Sequence, residues 1–208
     1  MANIIVRHAR NTDDLLKIAS CIYLTDPFIY PAAFGTDIHQ AAYAISRLMS
    51  MEDGLFHPDN LALAFHGKDI CGILLYNRNG AVWEQSQCTD LLQGIVPSIE
   101  NFNYVSEVYF SVESATPPED HIEVIACCVM PGFRNRGVGK QMLDWLIKEY
   151  SEYTLTLDVL ANNSAAISLY QKCGFKITEE LKGFSLEEST RPDCYRMARY
   201  CHLAERST

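Results

Sequence analysis

Apolar positions along this chain follow two periods, and the places where one gives way to the other outline a fold. Residues 4–8 read as an opening strand. Leu15, Leu16, Ile18, Ala19 and Ile22 then recur at helical spacing behind the cap-type run Asn11-Thr12-Asp13-Asp14. Asp26-Pro27 and the residues up to Pro31 break that helix, and a second helical stretch runs over 37–51. Residues 61–66 and 70–77 read as two strands around the turn Gly67-Lys68-Asp69. Between Arg78 and Asp120 the pattern changes: Leu91, Leu92, Ile95 and Val96 suit a helix up to Pro97, and Ile99, Phe102, Val105, Tyr109 and Phe110 suit another after it, with helix and strand both open over 105–112. From His121 the signals sharpen. Residues 122–129 form an almost unbroken apolar run, as in a strand covered on both faces. A glycine-rich turn follows, then an amphipathic helix carrying Met142, Leu143, Leu146 and Ile147. Residues 153–160 alternate as a strand, 163–173 form a helix with Gly174 just past its end, and 175–178 and 195–203 are the last strands. The pattern predicts an α/β (α+β) chain with a mixed central sheet and flanking helices. It reads as one domain over 1–208, with residues 78–120 as a helical insertion before the central strand.

Composition narrows the choice of chemistry. The net charge of −9 argues against nucleic acid and against anionic membranes as partners. It suits a cationic acceptor such as an amine, though an acidic surface also serves solubility alone. Eight cysteines occur without a Cys-x-x-Cys pair, and no secretory leader pattern opens the chain. With no apolar run near the ~20 residues that span a bilayer, the expectation is a reduced, cytoplasmic protein without a metal site. A homodimer stays open.

The sharpest signal is Val129-Met130-Pro131-Gly132-Phe133-Arg134-Asn135-Arg136-Gly137-Val138-Gly139-Lys140. A buried strand runs into a turn with glycines at alternate positions, and a helix begins there. The first N–H groups of a helix have no internal partners, so this turn is suited to an anion such as a pyrophosphate. Arg134 and Arg136 bracket it. A Walker loop would need Ser or Thr after a Lys that directly follows the second glycine, but Lys140 is followed by Gln141. A Rossmann fingerprint would need a small residue where Met142 stands.

This loop resembles that of the GNAT acetyltransferase family: Val129, Pro131, Arg134, Gly137 and Gly139 match its Val-x-Pro and Arg/Gln-x-x-Gly-x-Gly/Ala pattern. A second family motif is present as Asn163, Ala166, Leu169, Tyr170, Gly174 and Phe175. The resemblance covers about residues 121–178 and implies the acyl-CoA N-acyltransferase fold, with acetyl-CoA as cosubstrate and a primary amine as acceptor. It implies that the strand ending at Val129 parts from its neighbour, so that backbone groups near Cys127, Cys128 and Val129 meet the pantetheine arm. The N–H groups of Arg134, Asn135, Arg136, Gly137, Val138, Gly139 and Lys140 would hold the pyrophosphate, and Asn163 and Ala166 would line the cofactor site. Tyr170 would protonate the leaving thiolate; its other reading is an ordinary core aromatic.

Glu123 is the sole carboxylate in the apolar run and lies where the family's catalytic glutamate falls, so it is the candidate general base. Its bland reading is a solvated or paired strand-end carboxylate. His121, on the same strand face, could relay protons, but a lone histidine is more often a surface residue. Cys127 and Cys128 face opposite sides of a strand and read as packing residues rather than nucleophiles. The insertion, with Phe102, Tyr104, Glu107, Tyr109 and Phe110, is expected to supply acceptor contacts from Tyr104, Glu107 and Tyr109. A small amine is the favoured acceptor. Protein N-termini or lysines, and a non-catalytic acyl-CoA sensor, remain alternatives.

Overall fold

The computed structural model describes residues 3–52, 54–78, 84–107, 120–186 and 189–201. After β1 (Ile4–His8), aspartates start three helices. Asp14 accepts the Lys17 N–H at 3.0 Å and begins α1 (Leu15–Tyr23). Asp37 accepts the His39 N–H at 2.8 Å and begins α3 (Ile38–Leu48). Between them Asp26 accepts the N–H groups of Phe28 and Ile29 at 2.7 and 2.9 Å, which starts α2 (Ile29–Phe34). The sequence pattern reads this stretch only as a break. Pro31 sits in the first turn, where its missing N–H costs nothing, and six residues are too few for a period to show.

The remaining elements are β2 (Leu61–His66), β3 (Asp69–Asn77), α4 (Gln85–Leu92), α5 (Ile99–Val105), β4 (His121–Val129), α6 (Val138–Glu149), β5 (Thr154–Leu160), α7 (Ser164–Lys172), β6 (Lys176–Leu181), β7 (Phe184–Leu186), β8 (Ser189–Arg191) and β9 (Cys194–Arg199). Seven strands pair in the order β1-β2-β3-β4-β5-β9-β6, and β7 and β8 form a separate hairpin. The β4–β5 pair is parallel and the other neighbours are antiparallel. The mixed sheet and flanking helices agree with the sequence pattern. The β7–β8 hairpin has no counterpart in that pattern, because three-residue strands are too short to alternate visibly.

Two cores lie on opposite faces of the sheet. On one face Ile18, Ile22, Phe34, Ile45 and Leu48 of α1–α3 pack against Leu61, Leu63, Ile73 and Leu75. On the other, Met142, Leu143 and Leu146 of α6 cover Ala62, Ala64, Leu74, Ile122, Val124 and Leu155. β2 is buried on both sides for this reason, with leucines toward one core and alanines toward the other. The insertion is not a separate body. Cys88 and Leu92 of α4 and Phe102 and Val105 of α5 enter the first core, and the Phe102 ring lies 5.6 Å from that of Phe34.

β4 carries one irregularity. Tyr76 pairs with Val124 but Leu75 pairs with Ala126, so Ile125 is an extra residue, a β-bulge. Ile122 and Val124 face the α6 core before it, and Cys127 and Val129 face that same core after it. Glu123, Ala126 and Cys128 are turned to the other side. Among the described residues no helix is long and apolar enough to cross a membrane.

Candidate active site

β4 and β5 pair only from His121 opposite Thr154 to Val124 opposite Leu157. β4 continues to Val129, held on its other edge by β3, so, among the described residues, 125–129 have an edge without a strand partner toward β5. A cavity of about 110 Å³ occupies the resulting gap. It is lined from β4 by residues 123–127, from β5 by Asp158, Val159 and Leu160, and from α7 by Asn163, Ala166 and Tyr170. Thr25, Asp26, Ile29, Tyr30 and Arg191 close it from the opposite face.

On the α7 side, Tyr170 is buried with its ring 5.9 Å from Phe175. Burial, reinforced by the nearby Cys127 and Cys173 thiols, raises its hydroxyl well above the ordinary value, so it is an O–H donor at neutral pH. Burial also pushes the Cys127 thiol up to about 12, which removes any thiolate reactivity. Cys128 faces away toward Cys21 and does not line the cavity. Asn163 lines it, but its side-chain oxygen is committed to capping α7 through the Ala166 N–H at 3.2 Å.

The glycine turn leads into α6 as the pattern implies. Gly137, at φ 77°, is the residue before the helix and its carbonyl accepts the Gln141 N–H at 3.0 Å. The N–H groups of Val138, Gly139 and Lys140 make no hydrogen bond among the described residues. Gly139 is required for a different reason: a Cβ there would lie 2.9 Å from Leu169 of α7 and 3.5 Å from Val129. Arg134 is exposed, its Nε donating to the Val129 carbonyl at 3.1 Å. Arg136 lies over the Phe133 ring, and Lys140 pairs with Asp144 at 2.6 Å. Asn135 and the two arginines leave cationic and N–H groups clustered at the start of α6, which suits a pyrophosphate.

Glu123 opens to the other side of the gap. Burial first, then Asp158 on β5, raises its carboxyl to about 7 against the opposing pull of Arg196. Asp158 itself is held by two bonds from Arg196, both 2.9 Å. His121 does not join the cavity; its Nδ1 meets Asp120 at 2.7 Å near the surface. His121 thus takes its surface reading, and Glu123 instead neighbours Asp158 and the partly exposed Arg196.

A sequence profile of the acetyltransferase (GNAT) family matches residues 37–175. The chain belongs to this family. L-amino acid N-acetyltransferase AaaT of Escherichia coli (strain K12) is 30% identical over 87 residues, 40% of this chain and 54% of that protein. The [ribosomal protein bS18]-alanine N-acetyltransferase of Salmonella typhimurium is 41% identical over 59 residues, 27% of this chain and 40% of that protein. The chain thus spans about half the length, or less, of these curated relatives. Among solved structures, an N-acetyltransferase from Staphylococcus aureus Mu50 superposes with a TM-score of 0.62 at 14% identity, covering 93% of this chain and 99% of the other. A Bacillus subtilis acetyltransferase in complex with CoA gives 0.56 at 17% identity, covering 95% and 99%. Both show the GNAT fold.

In this GNAT chain none of the described residues of the insertion lines the cavity. Tyr104 is 41% exposed and Glu107 is also exposed, and neither lines the cavity. Tyr109 and Phe110 lie outside the described residues. α5 instead packs against α2, whose Ile29 and Tyr30 do line it. Sequence reasoning missed Asp26, Asp158 and Arg191. Asp158 was within reach, since Thr154, Thr156 and Asp158 form a polar face on an otherwise apolar strand. Asp26 and Arg191 carry no periodic signal.

Proposed function

We propose that this chain is an acetyl-CoA-dependent N-acetyltransferase that acetylates the primary amine of a small molecule by direct transfer. The observation that carries the reading is one cavity, at the parting of β4 and β5, lined by a protonated phenol and by a carboxyl poised near pH 7. Acetyl-CoA, when bound, supplies the acyl group. Residues 134–140 receive its pyrophosphate through N–H groups and the charges of Arg134 and Arg136. The unpartnered edge of residues 125–129 offers backbone groups to the pantetheine amides and, near Cys127, N–H polarisation to the thioester carbonyl. Glu123, or a water it orders, takes the amine's proton as the N–C bond forms. Tyr170 gives its proton to the sulfur as the C–S bond breaks. One proton leaves the amine and one reaches the thiol, so the transfer balances without a metal.

The Salmonella relative's name places an alanine of a ribosomal protein as acceptor, and the Escherichia coli relative's name an L-amino acid. Both present an α-amine, and they differ in whether a peptide chain follows it. Calorimetry with CoA should give micromolar affinity. Thiol release from acetyl-CoA should require an amine from a panel that includes free amino acids, simple amines and peptides. Silence in calorimetry at millimolar CoA removes the reading, and binding without turnover of any amine makes the chain an acyl-CoA sensor.

A further inference from the structure

The polar side of β5 lines up with both of its neighbours. Glu123 of β4 is opposite Thr156, and Asp158 lies two residues further on, so both carboxyls project from the same side of the sheet. Arg196 stands directly across from Asp158 on β9 and shares that side. Leu155, Leu157, Val159, Tyr195 and Met197 point the other way, into the α6 core. A row of Glu123, Asp158 and Arg196 thus crosses three strands. Its two carboxyls line one cavity, yet they are held differently. Arg196 donates from Nε to Asp158 Oδ1 and from Nη2 to Oδ2, both at 2.9 Å, the fork geometry that fixes a carboxylate in plane and position. The Glu123 carboxyl accepts no hydrogen bond from the described residues.

Two carboxyls in one cavity compete for the same proton unless something sets them apart. A proton on Asp158 would displace one arm of the Arg196 fork, whereas a proton on Glu123 displaces nothing. We propose that Arg196 is a positioning residue that fixes Asp158 as a standing anion beside Glu123, and so makes Glu123 the single proton acceptor of the site. The inference rests on the acetyl-transfer reading. Asp158 acts through Glu123: its charge disfavours a second carboxylate nearby and makes Glu123 a stronger base, while Arg196 tempers that effect. The cavity also holds Asp26, Tyr30, Arg191, Cys127 and Tyr170, and Glu179 of β6 lies across from Arg196 on its other side. An ion pair between β5 and β9 would equally serve the sheet alone, and a readout of ionisation separates the two roles.

The test follows thiol release from acetyl-CoA with one accepted amine across pH. Wild-type kcat/KM should rise as a single ionisation through about pH 7. Asp158→Asn removes the fixed charge, so the rise should move about one pH unit lower. Arg196→Leu frees Asp158 to share the proton, so the rise should broaden into two ionisations and finish about one pH unit above wild type. The double variant has neither charge, and its rise should narrow again and fall between those of the single variants. Arg196→Lys, which keeps the charge and loses the fork, should move the rise upward by less than Arg196→Leu. The amine's own ionisation is common to all of these proteins and cancels. A pair that serves only the sheet would lower melting temperatures and leave the profile in place. Unmoved profiles, or moves in the same direction for Asp158→Asn and Arg196→Leu, overturn the assignment. Carboxyl carbon NMR of the wild-type protein decides where variants fail to fold or no amine is turned over. Asp158 showing no titration where Glu123 titrates keeps Arg196 in its role, even if the transfer reading fails. Asp158 and Glu123 titrating together removes it.

Discussion

The two walls of the gap between β4 and β5 are built in different ways. The wall of α6 and α7 relies on backbone: a turn that Gly137 alone allows at φ 77°, N–H groups at a helix start, and close helix contact at Gly139. The turn and the helix start are set by neighbours a few residues away, so that part of the requirement is written as a short motif, while Gly139 answers to Leu169 in the second motif. The facing wall relies on side-chain charge gathered from separate segments: Asp26, Glu123, Asp158 and Arg191. No local spacing rule joins those four. On the proposed function, the wall that would hold the cosubstrate is thus local in sequence, and the wall facing it is dispersed.

The largest expected effect lies on the first wall. Tyr170→Phe keeps the ring against Phe175 and removes the hydroxyl, so kcat should fall about 10²–10⁴-fold while acetyl-CoA affinity holds. Full kcat in the folded variant would make Tyr170 a packing residue and erase the chemical half of the contrast.

Glu123→Gln tests the facing wall. Wild-type kcat/KM should rise with pH through about 7 as the carboxyl ionises, and the variant, lower by about 10²-fold, should lack that rise. The same group has a stability signature. Its folded value near 7 exceeds the ordinary value of 4.5, so between these pH values the folded state holds more protons than the unfolded. Stability from this group is therefore greatest at low pH and is lost as pH climbs from 4.5 to 7, by up to roughly 3 kcal/mol. Glu123→Gln should then melt above wild type at pH 8, with the gain shrinking toward pH 4. A lower melting temperature at pH 8 would show that the carboxylate is well paired rather than desolvated.

Gly137→Val should weaken CoA binding about 10-fold, because a β-branched residue strains at positive φ by roughly 1–2 kcal/mol and resets the N–H groups behind it. A Cβ there meets open space, so unchanged affinity would show that the turn tolerates the strain. The smallest effect is expected at Tyr104→Ala, which should shift acceptor KM less than about 2-fold, since the side chain is exposed and outside the cavity. A large KM change would bring the insertion back into the acceptor wall.

Legibility in the sequence divides along the same line. The motif from Val129 to Gly139 and that from Asn163 to Phe175 mark the proposed cofactor side, and Gly174 at φ 90° closes α7 as its position suggests. Glu123 is legible because one carboxylate in an apolar strand stands out. α2 and the β7–β8 hairpin are not, since their lengths give no period, and with them go Asp26 and Arg191. Tyr104 and Glu107 recommend themselves by side-chain chemistry alone. Aromatic and acidic residues on a packed helix face outward as readily as inward unless the period assigns their face.

The extra residue Ile125 in β4 has a geometric consequence. In a regular strand Glu123 and Cys127, four positions apart, would share a side. With the alternation broken between them, Cys127 turns to the α6 face and Glu123 to the other, yet both still line the one cavity. A one-residue offset thus lets a single strand meet the gap from both faces of the sheet with residues that would otherwise compete for the same side.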